Sequence, residues 1–334
     1  MSPLVAGLVC GTASFCCFAS PASASRAVAA GADTVVITEW EVPYEQSRPR
    51  DPYVAPDGRV WFVGQRSDYA AVFDPRTGGF DRFDLPQGAG PHNLIVDSAG
   101  TIWYAGNRAA HIGKLHPESG VIEQLATPDP PARDPHTLAF APDGNIWFTV
   151  QGGNVVGHLN TATGAMRILP VETPRARPYG IVVAPDGRPW IALFGTNRLA
   201  TVDPVTMQLA EVELPRAEAR PRRLVLTSDG HVWYGDHDEG FLGRYDPASG
   251  RVREWEMPSG SASRPYAMAV DDRDRIWIVE TGVSPNRFVG FDPATEMFFA
   301  ATAIASGGGS VRHMTHDPRT RSIWFGTDTN TLGR

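Results

Sequence analysis

Two sets of side chains at fixed offsets from a recurring tryptophan could do chemistry in this 334-residue chain. Eleven residues before each Trp stand Arg50, His92, His136, Tyr179, Arg222, Tyr266 and His313. Three residues after it stand Gly64, Gly106, Val150, Leu193, Asp236, Glu280 and Thr327. The first set is large and polar or aromatic throughout, which packing alone does not select. Imidazoles move protons near neutrality, carboxylates hold hard cations and guanidiniums grip oxyanions. Asp236 and Glu280 are expected to face an arc formed by His313, Arg50, His92 and His136. Mg²⁺ completed by water suits such a carboxylate pair. The alternative of equal weight is a salt-bridge network of the same carboxylates with Arg264, Arg220 or Arg222. Each histidine taken alone reads better as an ordinary hydrogen-bonded residue than as a catalyst.

The elements that position these sets repeat. The tryptophans are Trp61, Trp103, Trp147, Trp190, Trp233, Trp277 and Trp324, with steps of 42, 44, 43, 43, 44 and 47 residues. A period of this size with four short strands per unit is that of propeller blades. In each unit a first strand opens with Pro and the eleven-before residue. A turn such as Pro142-Asp143-Gly144 follows, and a second strand carries the Trp. Pro presets φ, Asp caps its own backbone and Gly takes the left-handed position. Because the two strands run antiparallel, both offsets lie at one end of the hairpin, and that end faces one mouth of a central channel. The tryptophans themselves read as packing between blades rather than as an aromatic cage.

The chain ends suggest how the ring closes. Residues 34–43 alternate apolar and polar, like the last strand of a blade, before any blade has begun. The chain stops at Thr331-Leu332-Gly333-Arg334, which matches a third strand such as Phe241-Leu242-Gly243-Arg244. The expected fold is therefore all-β: a seven-bladed β-propeller of four-stranded blades over residues 34–334. The N-terminal strand completes the last blade and removes an open edge. A closed ring needs no second copy, so a monomer is expected.

Composition narrows the partners. The net charge of −7, with signs interspersed, argues against nucleic acid. No apolar run is long enough to span a membrane. Residues 1–24 read as a signal peptide ending in Ala22-Ser23-Ala24, although they lack a basic leading region, and residues 25–33 read as a linker. The protein is thus expected to be exported, to the periplasm or beyond. All three cysteines, Cys10, Cys16 and Cys17, fall in the leader, so the mature chain offers no thiol chemistry.

The repeat carries a recognisable phrase. It reads Pro135-His136-Thr137-Leu138, then Pro142-Asp143-Gly144-Asn145-Ile146-Trp147-Phe148, then Asn154-Val155-Val156-Gly157, with turns such as Asp246-Pro247-Ala248-Ser249-Gly250. This pattern, over residues 34–334, resembles the virginiamycin B lyase (streptogramin lyase) family. The resemblance implies a seven-bladed propeller and a Mg²⁺-assisted elimination that opens the ester-closed ring of a type B streptogramin. A base removes the proton α to the ester carbonyl, and the metal stabilises the developing charge. It also implies a catalytic His at an eleven-before position and a Glu fourteen residues later. Glu280 matches that Glu, while Tyr266 stands where the His is expected. Arg222 occupies the corresponding position of the preceding blade, and Val283 stands where a further His is expected.

Three readings follow. In the first, the protein is a carbon–oxygen lyase of cyclic depsipeptide antibiotics. Glu280 and Asp236 hold Mg²⁺, Tyr266 or a histidine such as His313 is the base, and Arg222, Arg264, Arg50, His92, His136 and Tyr179 meet the substrate. In the second, it is a non-catalytic propeller that binds a small anion, a sugar or a protein partner at a mouth rich in Arg48, Arg50, Arg177, Arg220, Arg222 and Arg264. In the third, it is a metal-dependent lactonase, which ranks lower because only two carboxylates are in place.

Overall fold

A computed structural model describes residues 35–128 and 132–334. The proposed leader and linker, and with them the cysteines, lie outside the described residues. Seven antiparallel sheets of four strands each are arranged in sequence order. Blade 5 is representative, with strands Pro221–Leu226, Val232–Asp236, Phe241–Tyr245 and Val252–Glu256 running from the axis outward. The innermost strand of every blade touches the innermost strands of both neighbours, and blade 7 touches blade 1. The ring is therefore closed.

Closure is made by the N-terminal strand. Glu39–Glu41 pairs with Thr331–Gly333, with Trp40 opposite Leu332, as the outermost strand of blade 7. The strand is shorter than the alternating stretch that suggested it, but Thr38 and Arg334 continue the ladder through reciprocal 2.9 Å backbone bonds. Trp40 stacks on Trp324 at 5.5 Å and lies 5.0 Å from Phe73 of blade 1. Chain start, chain end and first blade thus share one aromatic cluster.

The second strand of a blade is buried along its whole length in six blades, whereas outermost strands such as Gly79–Asp84 are largely exposed. A radially packed sheet has neighbours on both faces near the axis, so its inner strands read as continuous apolar runs. Each recurring Trp packs on the next blade. Trp61 sits with Leu94 and Ile102, Trp233 with Met268 and Ile276, and Trp324 with Val60 and Phe62. All seven are at most 8% exposed, in keeping with a core role. The glycine of the third strand has a steric cause. A Cβ on Gly157 would lie 2.0 Å from the ring of Phe148, the residue after Trp147, so only Gly lets that ring lie flat across the sheet.

Candidate functional site

A backbone irregularity builds the site. In six blades the register of the innermost pair slips just past the opening proline, for example between Pro91 and Leu94 and between Pro221 and Leu224. A bulge breaks the strict alternation of side chains. Two successive residues per blade can then reach the channel, namely the eleven-before residue and the one after it. Arg50 is accompanied by Asp51, His92 by Asn93, His136 by Thr137 and Arg222 by Arg223. Asp51 sits at φ 48°, a conformation that Asp tolerates better than most residues.

The second members of these pairs form a buried network across the channel. Asp51 Oδ2 accepts from Asn93 Nδ2 at 3.0 Å and from Arg223 Nη2 at 3.2 Å. Arg223 also donates to Thr137 Oγ1 at 3.3 Å and to the Arg312 carbonyl at 3.1 Å. Blades 1, 2, 3 and 5 and the segment leading into blade 7 are tied together at one point. Burial alone would raise the Asp51 carboxyl, but Arg223 and Arg50 hold it well below the usual carboxylate range.

The first members form an arc of stacked rings. His92 and His136 lie 3.6 Å apart between centroids, and His136 and Tyr179 lie 4.1 Å apart. The Tyr179 and Tyr266 hydroxyls share a hydrogen bond. The Arg222 guanidinium lies 3.7 Å from the Tyr266 ring centre and 4.6 Å from that of Phe194, and its Nη1 donates to His237 Nε2 at 2.8 Å. Arg50 donates to Gln65 Oε1 at 3.1 Å and lies 3.6 Å from Asp51 Oδ1, while its Nε and Nη2 make no hydrogen bond.

The electrostatics follow from burial among guanidiniums. Burial, with Arg50 and Arg223, pushes His92 and His136 well below the usual imidazole value. The same causes take His313 down to about 4, and burial with Arg222 takes His237 to about 4. All four imidazoles are neutral at neutral pH. Burial works against ionisation of Tyr179, but Arg222, Arg50 and Arg223 and the Tyr266 hydroxyl outweigh it and bring the phenol down to about 8. Burial and the charge on Tyr179 push Tyr266 up. Only the first of the two phenols is set up to ionise near neutrality.

The expected carboxylate pair lies elsewhere. Asp236 accepts from Arg216 Nη2 at 2.5 Å and from the backbone amides of Arg220, Asp238 and Glu239. Arg216 in turn binds Glu254 at 2.9 Å. Glu280 accepts from Ser259 N at 2.9 Å, Ser259 Oγ at 2.8 Å and Arg287 Nη2 at 2.7 Å. Each carboxylate therefore bolts down the connector that leads into its own blade, rather than facing the histidine arc. The salt-bridge alternative has the right chemistry but different partners, Arg216 and Arg287 in place of the Arg264, Arg220 and Arg222 side chains. Burial raises the Asp236 carboxyl despite Arg216.

These donor sets do not fit a divalent cation. All four oxygens of Asp236 and Glu280 are matched by N–H or O–H donors, and no group of three His, Cys, Asp or Glu side chains converges among the described residues. Arg264 is exposed, and its carbonyl accepts from Thr281 Oγ1 at 2.8 Å. The structure thus brings together Arg50, His92, His136, Tyr179, Arg222, Tyr266 and His313, while the oxygens of Glu280 and Asp236 are taken up by connector groups and Arg287, and the exposed Arg264 acts on the ring only through its charge on His237. Sequence reasoning missed Asp51 and Arg223. Their signal was opposite charge at one repeat position where other blades carry Asn93, Thr137, Gly180, Ala267 and Met314.

Comparisons with known proteins cover all of the chain but its leading segment. A streptogramin B lyase structure is 24% identical and superposes with a TM-score of 0.81 over 89% of this chain and 96% of its own. Virginiamycin B lyase from Staphylococcus aureus is 21% identical, with a TM-score of 0.81 over 89% of this chain and 98% of its own. A catalytically inactive histidine-to-alanine variant of that S. aureus enzyme, solved with quinupristin, matches equally well. No curated protein sequence matches the chain significantly. The profile of the virginiamycin B lyase family matches residues 35–334, all but the leading segment, and the chain belongs to that family.

Proposed function

We propose that the protein is a carbon–oxygen lyase of ester-closed ring substrates such as type B streptogramins, with ring phenols in place of the imidazole and guanidiniums in place of a metal. The observation that carries this reading is the Tyr179–Tyr266 pair beneath Arg222, at the ring positions. A phenol held at about 8 combines a useful phenolate fraction with strong basicity near neutral pH. Tyr179 would take the proton α to a carbonyl. The C–H electrons become a carbon–carbon double bond, the C–O bond at the next carbon breaks, and the ester leaves as a carboxylate. Arg222 and Arg50 would stabilise the oxyanion that develops on the carbonyl. Tyr266 keeps its proton and holds Tyr179 in place. Export would put the enzyme where it meets such antibiotics, and a mature N-terminus after Ala24 in the non-cytosolic fraction is the corresponding observation.

The test is incubation with a quinupristin-type streptogramin followed by mass analysis. Elimination yields a linear product of unchanged mass, whereas a lactonase adds water. Tyr179→Phe should lower the rate roughly 100-fold or more. Absence of turnover, or a Tyr179→Phe variant as active as the wild type, contradicts the proposal.

A further inference from the structure

The ring concentrates positive charge that its own carboxylates do not balance. Arg50 and Arg223 converge on one carboxylate, Asp51, and are each only 4% exposed, while Arg222 lies over the Tyr179 and Tyr266 rings at 5.1 and 3.7 Å with no carboxylate partner. Asp51 Oδ2 is already shared by Asn93 and Arg223. Arg312, the next cation along, is paired with Asp328. The same ring holds polar atoms with no hydrogen-bond partner: one acceptor, Asp51 Oδ1, which lies 3.6 Å from Arg50 Nε, against Arg50 Nε and Nη2, Arg222 Nε, His92 Nδ1 and His313 Nδ1. Unmatched buried donors and unpaired buried cations both destabilise a fold, and both are relieved by one kind of group, an anion with several acceptor oxygens. Arg50, His92 and His313 stand at the ring positions of blades 1, 2 and 7, and the innermost strand of blade 1 touches those of both other blades, so these side chains border a common region.

We propose that Arg50, His92, His313 and Arg222 form an oxyanion site that takes the carboxylate or phosphate group of a small ligand. The Arg50 fork offers two N–H groups in the geometry that matches two oxygens of such a group. A neutral imidazole that carries its proton on Nδ1 adds a donor without adding charge. Water would satisfy the donors but leave the charge unbalanced. The ligand enters past Arg222, the one partly exposed guanidinium of the three, which is held by rings and by His237 rather than by a carboxylate. This inference goes beyond the elimination chemistry and does not depend on it. It adds a competition: a bound oxyanion and an ionised Tyr179 relieve the same positive charge, so each opposes the other.

The experiment uses the full chain, with inorganic phosphate and with acetate as separate probes, at ionic strength held constant with sodium chloride. Titration calorimetry measures binding, and ultraviolet phenolate absorbance follows Tyr179. At least one probe should bind saturably and shift the lowest tyrosine ionisation to higher pH, and Tyr179→Phe should remove the absorbance change. Arg50→Gln should weaken binding at least tenfold. Arg222→Gln, at the partly exposed mouth, should weaken it by a similar factor while leaving the folded ring measurable if Arg50→Gln does not fold. Arg253→Gln, on an exposed outer strand, should bind as the wild type does. Binding of phosphate alone assigns a tetrahedral group, and binding of acetate alone assigns a carboxylate. Saturation by neither probe, or binding that Arg222→Gln and Arg253→Gln affect equally, overturns the site. A protein that binds an oxyanion yet turns over no streptogramin loses the proposed reaction and keeps this site.

Discussion

Asp51 is the residue on which the ring's electrostatics turn. It is the carboxylate shared by the Arg50 and Arg223 guanidiniums, and it joins blade 1 to blade 5 through Arg223. Removing one partner of a buried ion pair costs about 3–5 kcal/mol, because the remaining charge is left unbalanced. Asp51→Asn keeps the side-chain shape and tolerates the same positive φ, so it isolates the charge. It should lower the melting temperature by at least several degrees, and added phosphate should recover part of the loss. The eleven-before residues were legible in the sequence because their types depart from what packing selects. Asp51 and Arg223 were not, because alternation along a strand assigns neighbours to opposite sides. Only the bulge after the opening proline breaks that rule, and a register slip has no residue signature here. Glu280 and Asp236 misled for a related reason. Their position in the hairpin was right, but serine and arginine side chains from the connectors reach them, and connector paths are not periodic.

Among the elements, the N-terminal strand carries the most consequence per residue. Three of its residues complete a sheet whose other strands lie nearly three hundred positions away, and Trp40 adds a ring to the cluster of Trp324 and Phe73. A chain that begins at Val42 would leave Thr331–Gly333 as an open edge beside an uncovered Trp324. Exposed edges of this kind pair with other chains. The truncated protein should melt at lower temperature and show self-association by light scattering, while the intact chain stays monodisperse. An equally stable, monodisperse truncation would show that the strand is dispensable. This element was legible because both chain ends were incomplete on their own: a fourth-strand pattern without a blade, and a blade without a fourth strand. The seven tryptophans were legible for the same reason, since identical positions in a repeat share one environment.

At the scale of the whole molecule, the closed ring places its titratable groups in one low-dielectric channel, and pH acts on them together. His92, His136, His313 and His237 have folded values below the ordinary 6.5, with His313 and His237 at about 4. Between those limits the unfolded chain binds more protons than the folded one, so stability falls as pH drops from about 6.5 toward 4. Thermal melts over this range should show the loss, and His313→Asn should reduce its slope. On the alkaline side, Tyr179 at about 8 against an ordinary 10 has the same sign, so it adds stability as pH rises between those values. Above that range, Tyr69 and Tyr104, pushed up to about 12 by burial, reverse the trend.

Both the elimination chemistry and the oxyanion site rest on the same excess of positive charge around Tyr179. Its most direct measurement is a tyrosine titration by ultraviolet difference absorbance, wild type against Tyr179→Phe. One of the eight tyrosines should ionise near pH 8 in the wild type, and that step should be absent from the variant. If no tyrosine ionises before the ordinary range near pH 10, or if the early step survives in Tyr179→Phe, the ring does not activate this phenol and the account fails at its base.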